Sequence, residues 1–381
     1  MTASPSSESS LHPTLRVLVV VLLLFLFLTG VKGLGDGFKL LGQDLLDSFF
    51  RATENPFVAL MIGILATTLV QSSSVSTSMI VGLVAAPENP LPIENAIPMV
   101  MGTNIGTTVT NTVVSLAHMT RRDEFQRAFA VATCHDFFNF LIVAVLLPLE
   151  IATGLGRRVA TALSGLVSGV GGVDYDSPLK GAISAGASPL RWLAEAFVES
   201  GPSRGAFMAI GSALVIIAAL VLLVRVMRAA MQSQIESNVS LFLGRHALLA
   251  ILFGTVATVM VQSSSITTSL LVPLAGAGLI TLNQAFPVTL GANVGTTVTA
   301  LLASMAVSGA NAQAGITIAL VHLLFNVTGI VMVYPIPAVR EIPLGLARWF
   351  AGVARQSRGW AVMYIVVLFY GLPSLFALLS Q

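Results

Sequence analysis

The sequence predicts an all-α polytopic membrane protein built from two inverted repeats, and three observations carry that expectation. Of 381 residues, 55% are hydrophobic and 9% are charged, against about 25% charged in a soluble domain. With a mean hydropathy of +0.89, such a chain cannot cover a water-facing surface. Its apolar runs are long rather than alternating and only 7% of residues are aromatic, which favours helices over a barrel. Finally, three polar blocks recur in one order along the chain. A net charge of +2 argues against nucleic acid as a partner. The single cysteine, Cys134, excludes a disulfide framework and a multi-thiolate metal site.

The first element is the apolar run 17–28, behind a Ser-rich leader that contains Glu8. A signal peptide needs a basic leader and a small-x-small cleavage site. The stretch Thr29, Gly30, Val31, Lys32, Gly33 does not supply one, so residues 1–36 read as a tail and a retained first span. Asp44, Asp47 and Arg51 then fit an interfacial amphipathic helix.

The repeats follow. Gln71, Ser72, Ser73, Ser74 recurs as Gln262, Ser263, Ser264, Ser265, each followed by a Thr-Ser pair, Thr77-Ser78 and Thr268-Ser269. The block Gly102-Thr103-Asn104-Ile105-Gly106-Thr107-Thr108-Val109-Thr110 recurs as Gly291-Ala292-Asn293-Val294-Gly295-Thr296-Thr297-Val298-Thr299. A third block, H-x-x-F-N, stands at His135–Asn139 and again at His322–Asn326. Such ordered recurrence marks a duplicated unit.

In each copy the first block splits an apolar stretch into halves too short to span alone, since a span needs about 20 residues. Two half-helices meeting at the polar knot, a re-entrant hairpin, resolve this at 56–86 and again at 247–281. Backbone broken at that depth must be buried in protein or line a wet cavity. The Gly-Asn-Gly-Thr-Thr segments 97–117 and 285–302 read as locally unwound spans, and 128–150 and 316–334 as the helices that close each copy. Gly63, Gly254 and Ala257 are expected to let helices approach closely, and Met99, Met101 and the Phe-rich run 125–140 to serve packing or lipid.

Loop charges orient the copies. The connection after the first Gly-Asn-Gly block carries Arg121, Arg122 and Arg127, while its counterpart at 304–315 carries no basic residue. The positive-inside rule places the first in the cytoplasm and the second outside, so the repeats are inverted. Repeat 1 then covers 37–152, an external linker loop 153–204, and a linking helix with repeat 2 covers 205–334. Residues 335–381 form a cytoplasmic loop and a last span. The N-terminus is expected inside and the C-terminus outside.

From 246 to 339 there is no Asp, Glu, Lys or Arg. A site there works with hydroxyls, amides, carbonyls and helix ends. Half-helix N-termini and serine hydroxyls suit an oxyanion, which nominates Ser72, Ser73, Ser74, Ser263, Ser264 and Ser265. Amide and hydroxyl oxygens suit a small hard cation such as sodium, which nominates Gln71, Gln262, Asn104, Thr107 and Asn293. Co-bound cations would supply the neutralisation that basic side chains otherwise give. Asp136 lies within an apolar stretch one helical turn from Asn139, and Leu323 is its repeat mate. A carboxylate there is costly and functional by default, and a sodium ligand is the expectation. The competing role is a pairing with Arg127 near the interface. His135 and His322 are placed either at the site or as braces between helices.

With these blocks laid out, the chain resembles the type II sodium–phosphate cotransporters. The residues that carry the resemblance are the two Gln-Ser-Ser-Ser hairpins, the two Gly-x-Asn-x-Gly-Thr-Thr segments, Arg127-Ala128-Phe129-Ala130 and His135-Asp136-Phe137-Phe138-Asn139. The resemblance implies that both tips bind phosphate and sodium. It also implies that Asn139, Thr296 and Thr299 take part in sodium binding and that Asp136 marks an electrogenic member. Ala292 stands where animal members have a serine, and His118 and Arg121 where they have Gln and Asp, which weakens the case for a second sodium site there. The family also makes a homodimer an expectation.

The function expected is a secondary transporter of the cell membrane coupling inward sodium flow to uptake of inorganic phosphate, preferably divalent, with no cofactor and no transition metal. A carrier of another oxyanion (sulfate, arsenate or a carboxylate) is the nearest rival. An intramembrane serine hydrolase using Ser73 or Ser264 with His135 or His322 is the remote one.

Overall fold

A computed structural model describes residues 13–40, 50–170, 178–199, 201–242, 246–307 and 309–379. Residues 41–49, where Asp44 and Asp47 fall, lie outside the described residues. Among those described, the ordered elements are helices throughout and none is a strand. Among the described residues, six helices are long and apolar enough to cross a membrane.

The first span, α1, is Pro13–Lys39. It packs along the long α9, Pro202–Phe242. The first hairpin is α2, Pro56–Val70, followed by α3, Ser73–Val84. The second is α10, Ala247–Val261, followed by α11, Ser264–Gly276. Each hairpin leans on the segment that follows it. Behind the first are α4, Ile93–Thr107, and α5, Val109–Leu116; behind the second is α12, Leu282–Met305.

The closeness of these pairs comes from glycine. A methyl at Gly63 would sit 2.1 Å from the Met99 carbonyl oxygen, and one at Gly254 2.1 Å from that of Val288. Gly102 and Gly291 repeat the contact from the opposite side, at 2.2 Å from the Leu60 oxygen and 1.9 Å from the Ile251 oxygen. Backbone meets backbone, as small-residue packing in membranes allows.

Two sequence expectations are corrected. The Gly-Asn-Gly-Thr-Thr segments are not unwound: α12 runs unbroken, and the first copy pauses only at Thr108, whose φ and ψ are still right-handed helical. The threonine hydroxyls are satisfied without leaving the helix. Thr103 and Thr108 donate to the carbonyls of Val100 and Ile105, while Thr296 and Thr297 donate to those of Ala292 and Val294. Hydroxyls satisfied within their own turn need no broken backbone.

The stretches expected as an external loop and a cytoplasmic loop are also helical. The first holds α7, Leu155–Val170, and α8, Pro178–Phe197. The second holds α14, Pro337–Gln356. The closing helices of the copies are α6, Arg122–Thr153, and α13, Ala312–Val333. Each amphipathic helix packs across the duplication: α7 lies on α13, and α14 lies on α6. Phe125, Phe129 and Phe350 pack as tilted rings within the second of these contacts. The last span comprises α15, Gly359–Ile365, a π-helical turn Val366–Gly371, and α16, Leu372–Leu379.

The hairpins are held at opposite ends of α6, which is 32 residues or about 48 Å long at 1.5 Å rise per residue. At its N-terminal end Arg127 donates to the carbonyls of Ala275 and Gly276, the end of α11. Beyond its C-terminal end Arg157 pairs with Glu94, at the start of α4 behind the first hairpin. Asn311, at the start of α13, donates to the Ala86 carbonyl at the close of that hairpin.

Candidate transport site

The two tips are built alike. Gln71 and Gln262 both adopt the left-handed conformation, φ 58° and φ 56°, which lets α2 and α10 stop and the chain reverse. The residue after each is extended and caps the next helix: Val75 N–H donates to Ser72 Oγ at 3.3 Å, and Ile266 N–H to Ser263 Oγ at 3.4 Å. Each glutamine amide turns back to its own helix, Gln71 to the Thr68 carbonyl and Gln262 to that of Val259. Each glutamine Oε1 accepts from the last threonine of the following block, Thr110 at 2.9 Å and Thr299 at 3.0 Å. Thus the first-turn N–H groups of α3 and α11, which no intrahelical carbonyl satisfies, start from one geometry used twice.

The structure brings the tips together. Ser74 Oγ lies 3.5 Å from the Gln262 carbonyl oxygen and 3.3 Å from Thr299 Oγ1. Thr107 joins both hairpins, taking a bond from Ser73 at 3.3 Å and meeting Ser265 Oγ at 3.4 Å. Ser73, Ser74 and Ser264 are buried, whereas Ser263, Ser265 and Gln262 are partly so and Gln71 is exposed. Of the six nominated serines, Ser72 and Ser263 are also occupied as helix caps. Thr296 is buried and bonded to its own helix rather than to a tip.

Asn104, Asn139 and Asn293 form a separate buried network. Asn293 donates to Asn139 Oδ1 at 2.9 Å, and Asn139 donates to the Asn104 carbonyl at 2.8 Å. The histidines cross the duplication here. His135 Nε2 reaches Asn293 Oδ1 at 2.6 Å, and His322 Nε2 reaches Asn104 Oδ1 at 3.2 Å. The histidine of each copy therefore holds the asparagine of the other. Both histidines bond across the duplication, and the hydrogen bonds described for them go to asparagines rather than to a serine.

Asp136 stands apart from the tips. It is fully buried and not paired with Arg127. Its Oδ2 accepts from Thr112 Oγ1 at 3.3 Å and from Tyr364 Oη at 2.8 Å, while Oδ1 has no partner.

Sequence reasoning missed Thr110, Asn111, Thr112 and Tyr364. Thr110 was signalled by its repeat mate Thr299. Asn111, which takes bonds from Thr268 and Ser269 of the second hairpin at 2.9 and 3.1 Å, has Ala300 as its mate and gave no symmetry signal.

Comparison with known proteins places this geometry. The family profile described as Na+/Pi-cotransporter matches residues 26–170 and 215–375. Mouse sodium-dependent phosphate transport protein 2A is 34% identical over 429 residues, covering 95% of this chain and 67% of that protein. Human sodium-dependent phosphate transport protein 2B is 32% identical over 445 residues, covering 94% of this chain and 64% of that protein. No solved structure matches. The two matched stretches each contain one hairpin, one Gly-x-Asn-x-Gly-Thr-Thr helix and one amphipathic helix, and the chain belongs to the Na+/Pi-cotransporter family.

Proposed function

We propose that the chain is a secondary transporter that couples sodium flow down its gradient to uptake of inorganic phosphate. The observation that carries the reading is the meeting of two charge-free, serine-capped hairpin tips within hydrogen-bond reach of each other. Helix N-termini and hydroxyls favour an oxyanion. With no Lys or Arg between 246 and 339, co-bound cations provide the balancing charge. Phosphate is assigned to Ser72, Ser73, Ser74, Ser263, Ser264 and Ser265, the divalent form preferred. Sodium is assigned to the oxygens of Gln71, Gln262, Asn104, Thr107, Asn139, Asn293, Thr296 and Thr299, and to Asp136.

Asp136 adds a translocated charge, worth about 2.3 kcal/mol per 100 mV of membrane potential. The repeats sit inverted in a cell membrane, N-terminus cytoplasmic and C-terminus external, and the working unit is a homodimer.

Uptake of labelled phosphate into proteoliposomes, with sodium or choline outside, tests this. Sodium should drive accumulation, Ser74→Ala with Ser265→Ala should remove it, and Asp136→Asn should lower the charge moved per phosphate. Accumulation indifferent to sodium would refute the reading, and equal competition by sulfate would shift it to the wider oxyanion class.

A further inference from the structure

The surroundings of Asp136 exist only once in this duplicated chain. In the repeat alignment Asp136 faces Leu323 and Thr112 faces Leu301. Two polar groups that meet in the first copy are thus both leucine in the second, so the pocket is not a remnant of duplication.

Its third member comes from outside both motif sets. Tyr364 lies on α15, two residues before the π-helical turn begins at Val366. Such turns are rare and concentrate at functional sites. The tyrosine ring is fixed between Phe350 and Phe369, at centroid distances of 4.9 and 5.7 Å. Its hydroxyl is thereby held 2.8 Å from Asp136 Oδ2. The other carboxylate oxygen is buried with no partner, a state that costs free energy unless something arrives to occupy it. The occupant with matching chemistry is a desolvated monovalent cation.

We propose that Tyr364 is the positioning residue of a one-sided cation site. By holding Oδ2 it presents Oδ1 to sodium, and so makes the last span a determinant of sodium affinity. This rests on the reading of Asp136 as a sodium ligand. Thr112 plays the same part more weakly, at 3.3 Å, and Thr108 also stands beside the carboxylate.

The test compares the full-length wild type with Tyr364→Phe, Thr112→Val, Asp136→Asn and the double variant Tyr364→Phe/Asp136→Asn. Phenylalanine keeps both ring contacts and deletes only the hydroxyl. Two quantities are read in each protein: the sodium concentration that half-saturates phosphate uptake, and the one that half-saturates sodium-induced thermal stabilisation in detergent, with choline as control. The second needs no transport. Tyr364→Phe should raise both about tenfold, the size of a hydrogen bond to a charged group. Half-saturating phosphate at saturating sodium should stay within about twofold. Thr112→Val should raise the sodium values less. In the Asp136→Asn background Tyr364→Phe should add nothing.

An unchanged sodium requirement in both single hydroxyl variants overturns the proposal. So does a tenfold rise that persists without the Asp136 carboxylate, because the tyrosine would then act independently of it. If Asp136→Asn itself leaves sodium dependence and charge per phosphate at wild-type values, it is the underlying sodium assignment that has failed.

Discussion

At the scale of single residues, the buried polar groups divide between those bonded across the duplication and those proposed to receive ions. His135 and His322 are bonded across the duplication. Each is buried and spends Nε2 on an asparagine of the other copy. His135 gains a second bond from Asn111 to Nδ1 at 3.3 Å, whereas His322 Nδ1 has no partner. The two braces are therefore unequal, and the difference is measurable. A double-mutant cycle between His135→Ala and Asn293→Ala should give a coupling of about 1–2 kcal/mol, near the upper end for polar contacts inside membranes. The cycle between His322→Ala and Asn104→Ala, whose bond is longer, should give about 0.5 kcal/mol. Unfolding of the purified variants in mixed micelles reads both. A larger value for the second pair would show that bond length does not rank them.

At the scale of elements, the glycines rather than the serines fix how the hairpins sit. Ala at Gly63 or Gly254 would drive a methyl against a backbone carbonyl, which cannot rotate away. Gly345 and Gly352 on α14 have open space where a methyl would go. Gly63→Ala and Gly254→Ala should each destabilise by about 1–3 kcal/mol through overpacking. Gly352→Ala should be neutral or stabilise by up to about 1 kcal/mol through helix propensity. Melting of fluorescent fusions during size-exclusion chromatography distinguishes them, and a Gly63→Ala protein as stable as the wild type would mean the helices can part at little cost.

These same elements show what the sequence could disclose. The hairpins were legible because a polar knot between two half-length apolar runs has few solutions in lipid. The close pairs were legible at Gly63 and Gly254 because small residues in such runs mean approach. The unwinding expected at 97–117 and 285–302 did not occur, because composition cannot say whether Thr103 or Thr296 will satisfy its hydroxyl within its own turn. The helices α7 and α14 were hidden by their mixed polarity, which reads as loop until the partner surface is known. Tyr364 was invisible for a simpler reason: nothing in the chain around it says which carboxylate it will meet more than two hundred positions away.

At the scale of the whole molecule, polar clusters gather at both ends of α6. Around its N-terminal end gather Arg127 on the close of the second hairpin, Arg355 paired with Asp123 at 2.8 Å, and Arg348 bonded to Asn283 at 2.7 Å. At its C-terminal end gather Glu150, which accepts from the first N–H groups of α7, and the Arg157–Glu94 pair. A helix of this length exceeds the hydrocarbon thickness of about 30 Å, and under the proposed orientation the arginine-rich first cluster faces the cytoplasm.

The chain offers a clean way to check the assignment. Its lone thiol, Cys134, is fully buried and bonded to the Val131 carbonyl, so an impermeant maleimide should leave the unmodified protein unlabelled. Glu199 follows α8 and Ser357 follows α14, and both are exposed. Glu199→Cys should therefore label on intact cells, and Ser357→Cys only after the membrane is opened. The reverse pattern would invert the whole molecule. Labelling of both from one side would place the two hairpin mouths on the same surface, and two N-termini approaching one anion from opposite sides of the bilayer could then no longer explain transport.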